Sequence, residues 1–354
     1  MNNLPFVSIL VATYNDENTI NISIESIRVA IEFYCRKGGE AELIIINDGS
    51  TDKTKDILSH WQKTSGMPHL KIIHQNNLGV TAALHYGYQE ANKQSEYIVR
   101  MDGDAFFLTP DWLYTMIRFA LLDRSIGGVG VNIILPNGMS ESQGIDYFSG
   151  VKKSETQLHQ KNIHELSERM ALEVDAFAGT CACIKREVWN IDLAYKLWTE
   201  DVDQMLTIRL HNYKNFVLPH LLLFHNTYGY GREKRGVELE LYSGLTRFSF
   251  LRASISFLLK AILGEYRFIK VTDFLKRKVH LSPNKANIRE TMQHKNNQYF
   301  YSKWGFNNIH IDLEYIKERY KNTELCWRWD ESRKLHSQEI LKKYSKVLEQ
   351  EGFM

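Results

Sequence analysis

Short apolar runs alternate with longer segments of mixed polarity through the first hundred residues of the chain. The apolar runs are rich in β-branched residues and have the length of buried strands. The segments between them predict helices. The predicted strands are residues 7–12, 42–47, 71–74 and 97–101, and the predicted helices lie near 17–34, 52–65 and 80–93. This alternation predicts right-handed crossovers and a parallel sheet covered by helices on both faces.

Each predicted strand is followed by polar, turn-forming residues. In parallel sheets, ligands bind beyond the carboxyl ends of the strands. Taken singly, each loop is explained as a turn or a helix cap, and Asp52, for example, suits the first turn of a helix. Four such loops on one edge favour a binding site. The loops are Asn15-Asp16, Asp48-Gly49-Ser50, Asn76-Asn77 with Gly79, and Asp102-Gly103-Asp104.

The last of these loops carries two carboxylates separated by a glycine. A strand points alternate side chains the same way, so Asp102 and Asp104 can face one pocket, while Gly103 allows a tight turn. Two carboxylates so close repel each other, and a divalent cation with oxygen ligands is the usual compensation. A lone Asp-Gly-Asp is also common in ordinary turns at strand ends.

Three kinds of loop that bind nucleotide phosphates are missing from the sequence. The first strand is not followed by Gly-x-Gly-x-x-Gly, and no strand leads into Gly-x-x-x-x-Gly-Lys-Ser/Thr. The chain does not open on a glycine-rich basic loop of the nucleotidyltransferase type either. A bound nucleotide would therefore need a cation held by Asp102 and Asp104 to offset its phosphates.

Six segments in order resemble a family 2 glycosyltransferase with the GT-A fold, and the resemblance covers about residues 5 to 230. The kind it resembles is non-processive and builds bacterial surface glycans. The segments are Val7-Ser-Ile-Leu-Val-Ala-Thr-Tyr-Asn15, Asn47-Asp-Gly-Ser-Thr-Asp52, Asn77-Leu-Gly-Val-Thr-Ala-Ala83, Met101-Asp-Gly-Asp104, Ala178-Gly-Thr-Cys-Ala-Cys-Ile-Lys-Arg186, and Trp198-Thr-Glu-Asp-Val-Asp203 followed by Arg209.

The resemblance implies an α/β chain with a mostly parallel, Rossmann-like sheet flanked by helices. Residues 1–237 would form the GT-A catalytic domain. Within it, 1–104 would be the nucleotide-sugar half and 105–237 the acceptor half. Residues 238–354 would form a helical C-terminal extension.

The implied reaction is an inverting, metal-dependent transfer of a sugar from a UDP- or dTDP-sugar to a hydroxyl of a glycan or lipid-linked acceptor. Asp201 would be the general base, and Glu200 would orient the acceptor or the loop. Asp48 would accept a hydrogen bond from the imide N–H of the base. The simpler alternative is that acidic residues at a helix start only complement the helix dipole.

The implied cofactor is Mg²⁺ or Mn²⁺. Asp104 would be its main ligand, Asp102 would lie near the ribose and the ion, and His225 would complete the ligand shell. The alternative for His225 is a histidine that ends a strand. The remaining implied donor-side positions are Thr13, Tyr14, Asn15, Glu17, Asn77, Gly79, Arg100 and Gly103, and the acceptor-side positions are Gly179, Thr180 and Trp198.

The sequence departs from the family pattern after Gly79. Many relatives place an arginine followed by an asparagine where this chain has Leu84-His85. A later glycine-rich segment offers replacement cations for the diphosphate, as a closing lid or as a solvated loop. Its basic residues are Arg232, Lys234 and Arg235. The Gln-x-x-Arg-Trp motif of processive synthases is absent, which favours transfer of one sugar per encounter.

Beyond residue 238 the strand–helix alternation stops. Apolar residues recur at helical spacing over 248–262 with basic residues between them, which suits a helix on an anionic membrane or one packed on the catalytic domain. Three tryptophans follow that could be core residues or sugar-stacking residues. They are Trp304, Trp327 and Trp329.

Composition narrows the partners and the compartment. The chain has 354 residues, 44% of them apolar, and a net charge of +2, which argues against a nucleic-acid partner. The four irregularly spaced cysteines are predicted to be reduced. The sequence has neither a basic leader before its first apolar run nor an uncharged apolar stretch of about 18 residues. These features predict a cytoplasmic protein, with peripheral contact to the inner face of the membrane as an alternative.

Two other functions remain open at this point. One is a non-catalytic module that binds a nucleotide sugar or a glycan on the same fold. The other is a nucleotidyltransferase on a related fold, against which the missing glycine-rich basic loop counts.

Overall fold

The computed structural model describes residues 4–135, 171–195, 199–226, 283–304 and 331–350. The chain divides into two compact units. One comprises Met1–Thr227 with Lys295–Met354, and the other is Tyr228–His294, of which residues 283–294 are described as helix. The predicted boundary between 237 and 238 lies outside the described residues and stays a prediction.

A nine-stranded sheet is the centre of the described part of the first unit. Its order is β3-β2-β1-β4-β8-β6-β9-β5, with β7 beside β9. The strands are β1 Phe6–Thr13, β2 Glu40–Asp48, β3 Leu70–Gln75, β4 Tyr97–Asp102, β5 Ala105–Phe107, β6 Ile126–Ile134, β7 Leu172–Val174, β8 Cys181–Lys185 and β9 Lys214–His225.

Helices connect and cover these strands. A short 3₁₀ helix, Arg186–Val188, follows β8. The described α-helices are α1 Ile20–Arg36, α2 Thr54–Thr64, α3 Val80–Glu90, α4 Trp112–Ala120, α5 Glu200–Leu210, α6 Pro283–Trp304 and α7 Glu331–Gln350. The seven elements predicted up to residue 101 are confirmed, with ends that differ by at most three residues.

Parallel pairing confirms the predicted α/β class. Strands β1, β2, β3 and β4 all run parallel. The second half is mixed: β8 is antiparallel to β4 and β6, while β5 and β7 are antiparallel to β9. Strands β6 and β9 are again parallel. Each antiparallel pairing of the described sheet thus includes at least one strand from the half that carries the predicted acceptor side.

Strand β2 shows why the first half of the sheet was predictable. Its Leu43 and Ile45 are buried in the cluster that contains α1, and Ile44 and Ile46 in the cluster that contains α3. Alternate side chains of a strand point to opposite faces, so a strand covered on both sides is apolar throughout. The continuous apolar run is therefore the direct consequence of helices on both faces.

The sheet reverses its direction of growth at β1. Strands β2 and β3 lie on one side of β1 and β4 lies on the other, which creates a crevice at the carboxyl ends of β1 and β4. In the β1–β4 register Ala12 is opposite Asp102, and the Gly103 N–H donates to the Ala12 carbonyl at 3.0 Å. The fold therefore places the loop after β1, called the first loop below, beside the Asp-Gly-Asp turn.

The described C-terminal segments of the first unit pack on its core. Tyr344 of α7 is buried and meets the Phe119 ring edge to face at 4.9 Å. Trp304, at the end of α6, is buried, and its Nε1–H donates to Asp203 at 2.7 Å. Trp304 is therefore a core residue.

The described helices include none long and apolar enough to cross a bilayer.

Several predicted features fall outside the described residues. They are the basic segment with Arg232, Lys234 and Arg235, the amphipathic stretch 248–262, and the tryptophans Trp327 and Trp329.

A buried charged network joins α7 to the sheet. The Arg209 guanidinium contacts Glu173 and Asp175, each at 2.8 Å, and Lys214 lies 3.3 Å from Glu173. The Ser337 hydroxyl of α7 donates to Glu173 and contacts the Lys214 ammonium. Charges taken out of water must be paired to be tolerated. The helix therefore completes the polar interior beside β7 and β9.

Replacing Tyr344 should destabilise the protein strongly. Tyr344→Ala removes a buried ring and leaves a cavity, which we expect to cost about 3–5 kcal/mol of unfolding free energy, as for other large aromatic residues. Tyr301→Ala is the matched control, because Tyr301 is 55% exposed on α6, and we expect a change within about 0.5 kcal/mol. Urea unfolding midpoints measure both. Equal midpoints for the two variants would contradict the packing of α7.

Stability should also fall in acid through Asp123. Burial alone would raise the pKa of Asp123, but the Ser125 amide, the His336 ring and the Ser125 hydroxyl outweigh it and lower the pKa to about 2. The Nε2 atom of His336 on α7 lies 3.0 Å from Asp123 Oδ2.

Because the folded pKa of Asp123 is below its unfolded value of about 3.9, its contribution is present above that pH and is lost as the pH falls towards 2. Asp123→Asn should therefore be less stable at pH 6 and should show a flatter dependence of unfolding free energy between pH 4 and 2. A dependence as steep as that of the unmodified chain would contradict this assignment.

Candidate active site

The Asp-Gly-Asp turn lies at the end of β4 and leads directly into β5. Gly103 is buried against the first loop: a Cβ on it would lie 2.7 Å from both the Thr13 Cβ and the Asp16 Oδ2. Any other residue would push the turn away from the first loop. Glycine is therefore required by close approach, and it keeps Asp102 and Asp104 at the crevice edge.

His225 is brought to the two carboxylates by strand pairing. In the β5–β9 ladder His225 is opposite Ala105, and the Asn226 N–H donates to the Asp104 carbonyl at 2.9 Å. The His225 Nε2 lies 3.3 Å from Asp104 Oδ1 and 3.9 Å from Asp102 Oδ2. The three side chains offer ligand atoms that all lie within 4.8 Å of one another.

This cluster fits a divalent cation. The Asp104 Oδ2 is buried and accepts no hydrogen bond from the described residues, which is costly for a carboxylate without a cation. Two carboxylates and an imidazole are a donor set that suits Mn²⁺, and carboxylates alone suit Mg²⁺.

The electrostatics of Asp102 point the same way. Burial raises the pKa of Asp102 to about 7; the negative Asp104 adds to the rise, and His225 and Arg100 oppose it. Its side chain remains 32% exposed at the edge of the site. Carboxylates crowded in this way are relieved by a cation.

The loops after β1 and β2 are joined by hydrogen bonds. Asn15 has a left-handed backbone (φ 57°); its Oδ1 accepts from the Thr51 N–H at 2.7 Å, and its own N–H donates to the Ser50 hydroxyl at 3.0 Å. The Thr13 hydroxyl donates to Asp16 at 2.7 Å. The predicted donor-side residues Thr13 and Asn15 thus shape the loop through protein contacts, whereas Tyr14 is 37% exposed at its tip.

Glu17 and Asp52 add a second connection between these loops. The Glu17 N–H donates to Asp52 Oδ2, and the Glu17 side chain accepts from the Lys53 N–H, both at 3.1 Å. Asp52 was predicted in the first turn of a helix, but α2 begins at Thr54. The Asp52 Oδ1 instead accepts from the Thr54 N–H at 2.9 Å, from a position before the helix.

Asp48 has an internal role that the sequence did not reveal. Its side chain is buried at the end of β2 and accepts hydrogen bonds from Gln75 Nε2, the Leu78 N–H and the Gly79 N–H at 2.7, 2.8 and 2.9 Å. Gly49 (φ 73°) allows this turn, because a Cβ there would lie 2.6 Å from the Asn77 nitrogen. Asp48 therefore holds the loop that contains Asn77 and Gly79.

The predicted base is at the start of α5. Asp201 is half-buried; its Oδ2 accepts from the Gly179 N–H at 2.9 Å and its Oδ1 from the Val202 N–H at 2.8 Å. Thr199, two residues before Asp201, has a left-handed backbone with φ 70°. A non-glycine residue in the left-handed region is strained, and such strain clusters at functional sites.

The acceptor-side strand connects the two halves of the site. The Asp102 N–H donates to the Thr180 carbonyl at 3.0 Å, and Gly179 is the donor to Asp201. A Cβ on Gly179 would lie 2.7 Å from both Arg100 Cζ and Asp201 Cβ. Thr180 and Gly179 thus lie between the acidic cluster and the predicted base. Trp198 lies outside the described residues.

Arg100 makes its described contacts with α5. Its guanidinium lies 3.0 Å from Glu200 Oε1 and donates to Gln204 Oε1 at 3.3 Å, and the Arg100 and Glu200 side chains are 3% and 7% exposed. Burial raises the pKa of Glu200, and the Asp201 carboxylate adds to the rise while Arg100 opposes it. The contact of Arg100 with a nucleotide stays a prediction.

Comparison with known families decides the affiliation. The model of the family described as "Glycosyl transferase family 2" matches residues 8–190, just over half of the chain. The chain belongs to glycosyltransferase family 2. The parallel β1–β4 half, the mixed second half and the covering helices form the GT-A fold expected for this family.

Two family relatives illustrate the range of similarity. An uncharacterized glycosyltransferase of Haemophilus influenzae is 34% identical over 132 residues, 37% of this chain and 37% of that protein. The poly-beta-1,6-N-acetyl-D-glucosamine synthase of Staphylococcus epidermidis is 25% identical over 217 residues, 59% of this chain and 47% of the synthase. The chain spans less than half the length of either relative.

Solved structures with similar architecture include two glycosyltransferases. The mannosyltransferase PcManGT of Pyrobaculum calidifontis, in complex with GDP-Man and Mn²⁺, is 16% identical with a TM-score of 0.49, covering 91% of this chain and 89% of its own. TarS of S. aureus in complex with UDP-GlcNAc is 18% identical with a TM-score of 0.45, covering 62% and 58%. These similarities are too low to transfer a ligand.

Removing the Arg100 guanidinium should destabilise this family 2 chain. Arg100→Met leaves Glu200 buried without its cation, which we expect to cost about 3–5 kcal/mol of unfolding free energy. Arg28→Met is the control, because Arg28 pairs with Glu25 and Glu32 on the surface of α1 and such pairs contribute about 0–1 kcal/mol. Urea unfolding measures both. A loss for Arg100→Met no larger than for Arg28→Met would contradict the buried pair.

Proposed function

We propose that this chain is an inverting, metal-dependent glycosyltransferase that moves a sugar from a nucleoside diphosphate to a hydroxyl group. The observation that carries the proposal is the connection of two groups at one edge of the sheet. The cluster of Asp102, Asp104 and His225 is linked through Thr180 and Gly179 to the Asp201 carboxylate. Family membership supports the same reaction class.

The acidic cluster is the place for the cofactor. Asp102, Asp104 and His225 would hold Mn²⁺ or Mg²⁺, which supplies positive charge that stabilises the departing diphosphate. Gly103, by its close approach to Thr13, keeps both carboxylates at the end of β4. The donor diphosphate would share this cation with the two carboxylates.

Asp201 acts as the general base in this proposal. The amides of Gly179 and Val202 each donate to one of its oxygens, which orients the carboxylate and leaves lone pairs on both oxygens. Asp201 takes the proton of the acceptor hydroxyl as that oxygen attacks the anomeric carbon. The bond from this carbon to the phosphate oxygen breaks as the new bond forms, so one displacement inverts the configuration.

The Arg100–Glu200 pair next to Asp201 would fix the orientation of the Asp201 carboxylate. Glu200 is held by Arg100, which fixes the first turn of α5 relative to β4. Glu200 is therefore a positioning residue for Asp201. An orientation fixed before the acceptor binds removes part of the entropic cost of the reaction.

The donor is proposed to be a UDP- or dTDP-sugar. Asp48 would accept the imide N–H of the base, and Tyr14, exposed at the tip of the first loop, would lie against the nucleotide. Thr13, Asn15, Glu17, Asn77 and Gly79 would shape the same pocket. The acceptor is proposed to be a glycan or a lipid-linked sugar, in keeping with the name of the S. epidermidis synthase. Trp198 is retained as an acceptor-side candidate.

Asp201→Asn tests the proposed reaction. The variant should bind UDP with Mn²⁺ as the unmodified chain does and should lose transfer by at least about 100-fold, the usual contribution of a general base. Release of UDP from a panel of UDP-sugars, with glycan and lipid extracts as acceptors, measures transfer. Glu339→Gln is the control, because Glu339 is exposed on α7, and it should retain full activity.

The same assay separates the alternatives. Chelation with EDTA should abolish transfer, and Asp104→Ala should weaken donor binding. A binding module would bind the donor without turnover, and Asp201→Asn would change neither result. A nucleotidyltransferase would release pyrophosphate from a nucleoside triphosphate and a sugar phosphate. Either result would exclude the proposed transfer, as would full activity of Asp201→Asn.

A further inference from the structure

The Asp48 carboxylate has most of its hydrogen-bonding capacity used within the protein. Its Oδ1 accepts two hydrogen bonds, from Gln75 Nε2 at 2.7 Å and the Leu78 N–H at 2.8 Å. Its Oδ2 accepts one, from the Gly79 N–H at 2.9 Å. A carboxylate offers about four lone-pair sites, two on each oxygen. The hydrogen bonds from the described residues therefore leave one site open, and it is on Oδ2.

The three internal donors are held in place by the fold. Gln75 is the last residue of β3 and is directly opposite Asp48 in the β2–β3 register. The other two donors are backbone groups just before α3, and Gly49 closes against the neighbouring Asn77 nitrogen. The Gln75 amide must present its nitrogen, because a carboxylate only accepts. Gln75 is thus the only one of the three donors that belongs to a side chain.

Nucleotide bases differ in the number of hydrogen-bond donors that they present to a carboxylate. Uracil and thymine present one N–H between two carbonyl groups, so one open lone pair satisfies them. Guanine presents two adjacent donors, its ring N–H and its amino group, which match the two oxygens of a carboxylate together. A guanine at Asp48 would meet one open oxygen and one filled oxygen, and a buried donor without a partner costs about 1–3 kcal/mol.

We propose that Gln75 determines base specificity by filling Asp48 Oδ1, so that Asp48 selects uracil or thymine nucleotides against guanine nucleotides. The inference rests on the proposed function, which places the donor base at Asp48. It adds a specificity-determining residue that does not contact the base itself and acts by its hydrogen bond to Asp48. Removing the Gln75 amide opens a lone pair on Oδ1 and makes the second guanine contact available.

Isothermal titration with Mn²⁺ and either UDP or GDP tests this assignment. The unmodified chain should bind UDP at least about tenfold more tightly than GDP, which corresponds to about 1.4 kcal/mol. Gln75→Leu keeps the approximate volume of the side chain and removes the hydrogen-bond donor. It should reduce the preference for UDP, measured as the Kd for GDP divided by the Kd for UDP, by about threefold or more. Gln94→Leu is the control, because Gln94 is exposed outside the site, and its ratio should match that of the unmodified chain.

The outcomes separate this inference from the proposed function. A ratio that stays the same in Gln75→Leu, or a preference of the unmodified chain for GDP, overturns the role of Gln75 while leaving glycosyl transfer intact. Failure of the unmodified chain to bind either nucleotide removes the proposed function and this inference with it. Gln75→Ala provides the same measurement if Gln75→Leu does not fold, because it also lacks the donor. A purely structural Gln75 would weaken both nucleotides equally.

Discussion

Repulsion among carboxylates at one edge of the sheet is the constraint on which the site depends. Asp102 ends β4, Asp104 follows two residues later, and Glu200 and Asp201 begin α5. The negative charges of Asp104 and Glu200 act on Asp102, and that of Asp201 acts on Glu200. Within the described part of the chain, Arg100 balances Glu200 by direct contact, and His225 lies beside the Asp-Gly-Asp pair. Burial makes the remaining negative charge expensive. A cation at Asp104 is the group that would relieve it.

The same edge explains why the two halves of the chain need each other. The first half supplies a parallel sheet whose reversal at β1 opens the crevice. The second half supplies β8, which pairs with β4, and β9, which ends at His225. Neither half alone has both the carboxylates and the imidazole. Trp304, at the end of α6, bonds to Asp203 on α5, and Ser337 of α7 bonds to Glu173 on β7, so both residues reinforce the second half.

The first half of the fold was predictable because its signal is local. Strands such as β2 are apolar on both faces, and the run of side chains alone indicates burial. Strand β6 gave no such signal: it contains Gly128 and Gly130, whose space is filled by Asn215 and Phe177 from distant segments. The acidic residues were identified from their motifs. The Arg100–Glu200 pair joins positions one hundred residues apart, and the hydrogen bond from Gln75 to Asp48 depends on strand register. Neither contact could be derived from neighbouring residues in the sequence.

The left-handed backbone at Thr199 has a consequence for how this chain could evolve. A threonine with φ 70° stores about 1–3 kcal/mol of strain that glycine or asparagine would release. Selection for heat resistance alone would thus favour a glycine immediately before Glu200-Asp201. That exchange would also widen the range of backbone angles open to the turn, and the Asp201 carboxylate, the proposed general base, would sample more directions. On the proposed mechanism, retaining threonine would give up some thermal tolerance in return for a more narrowly oriented base.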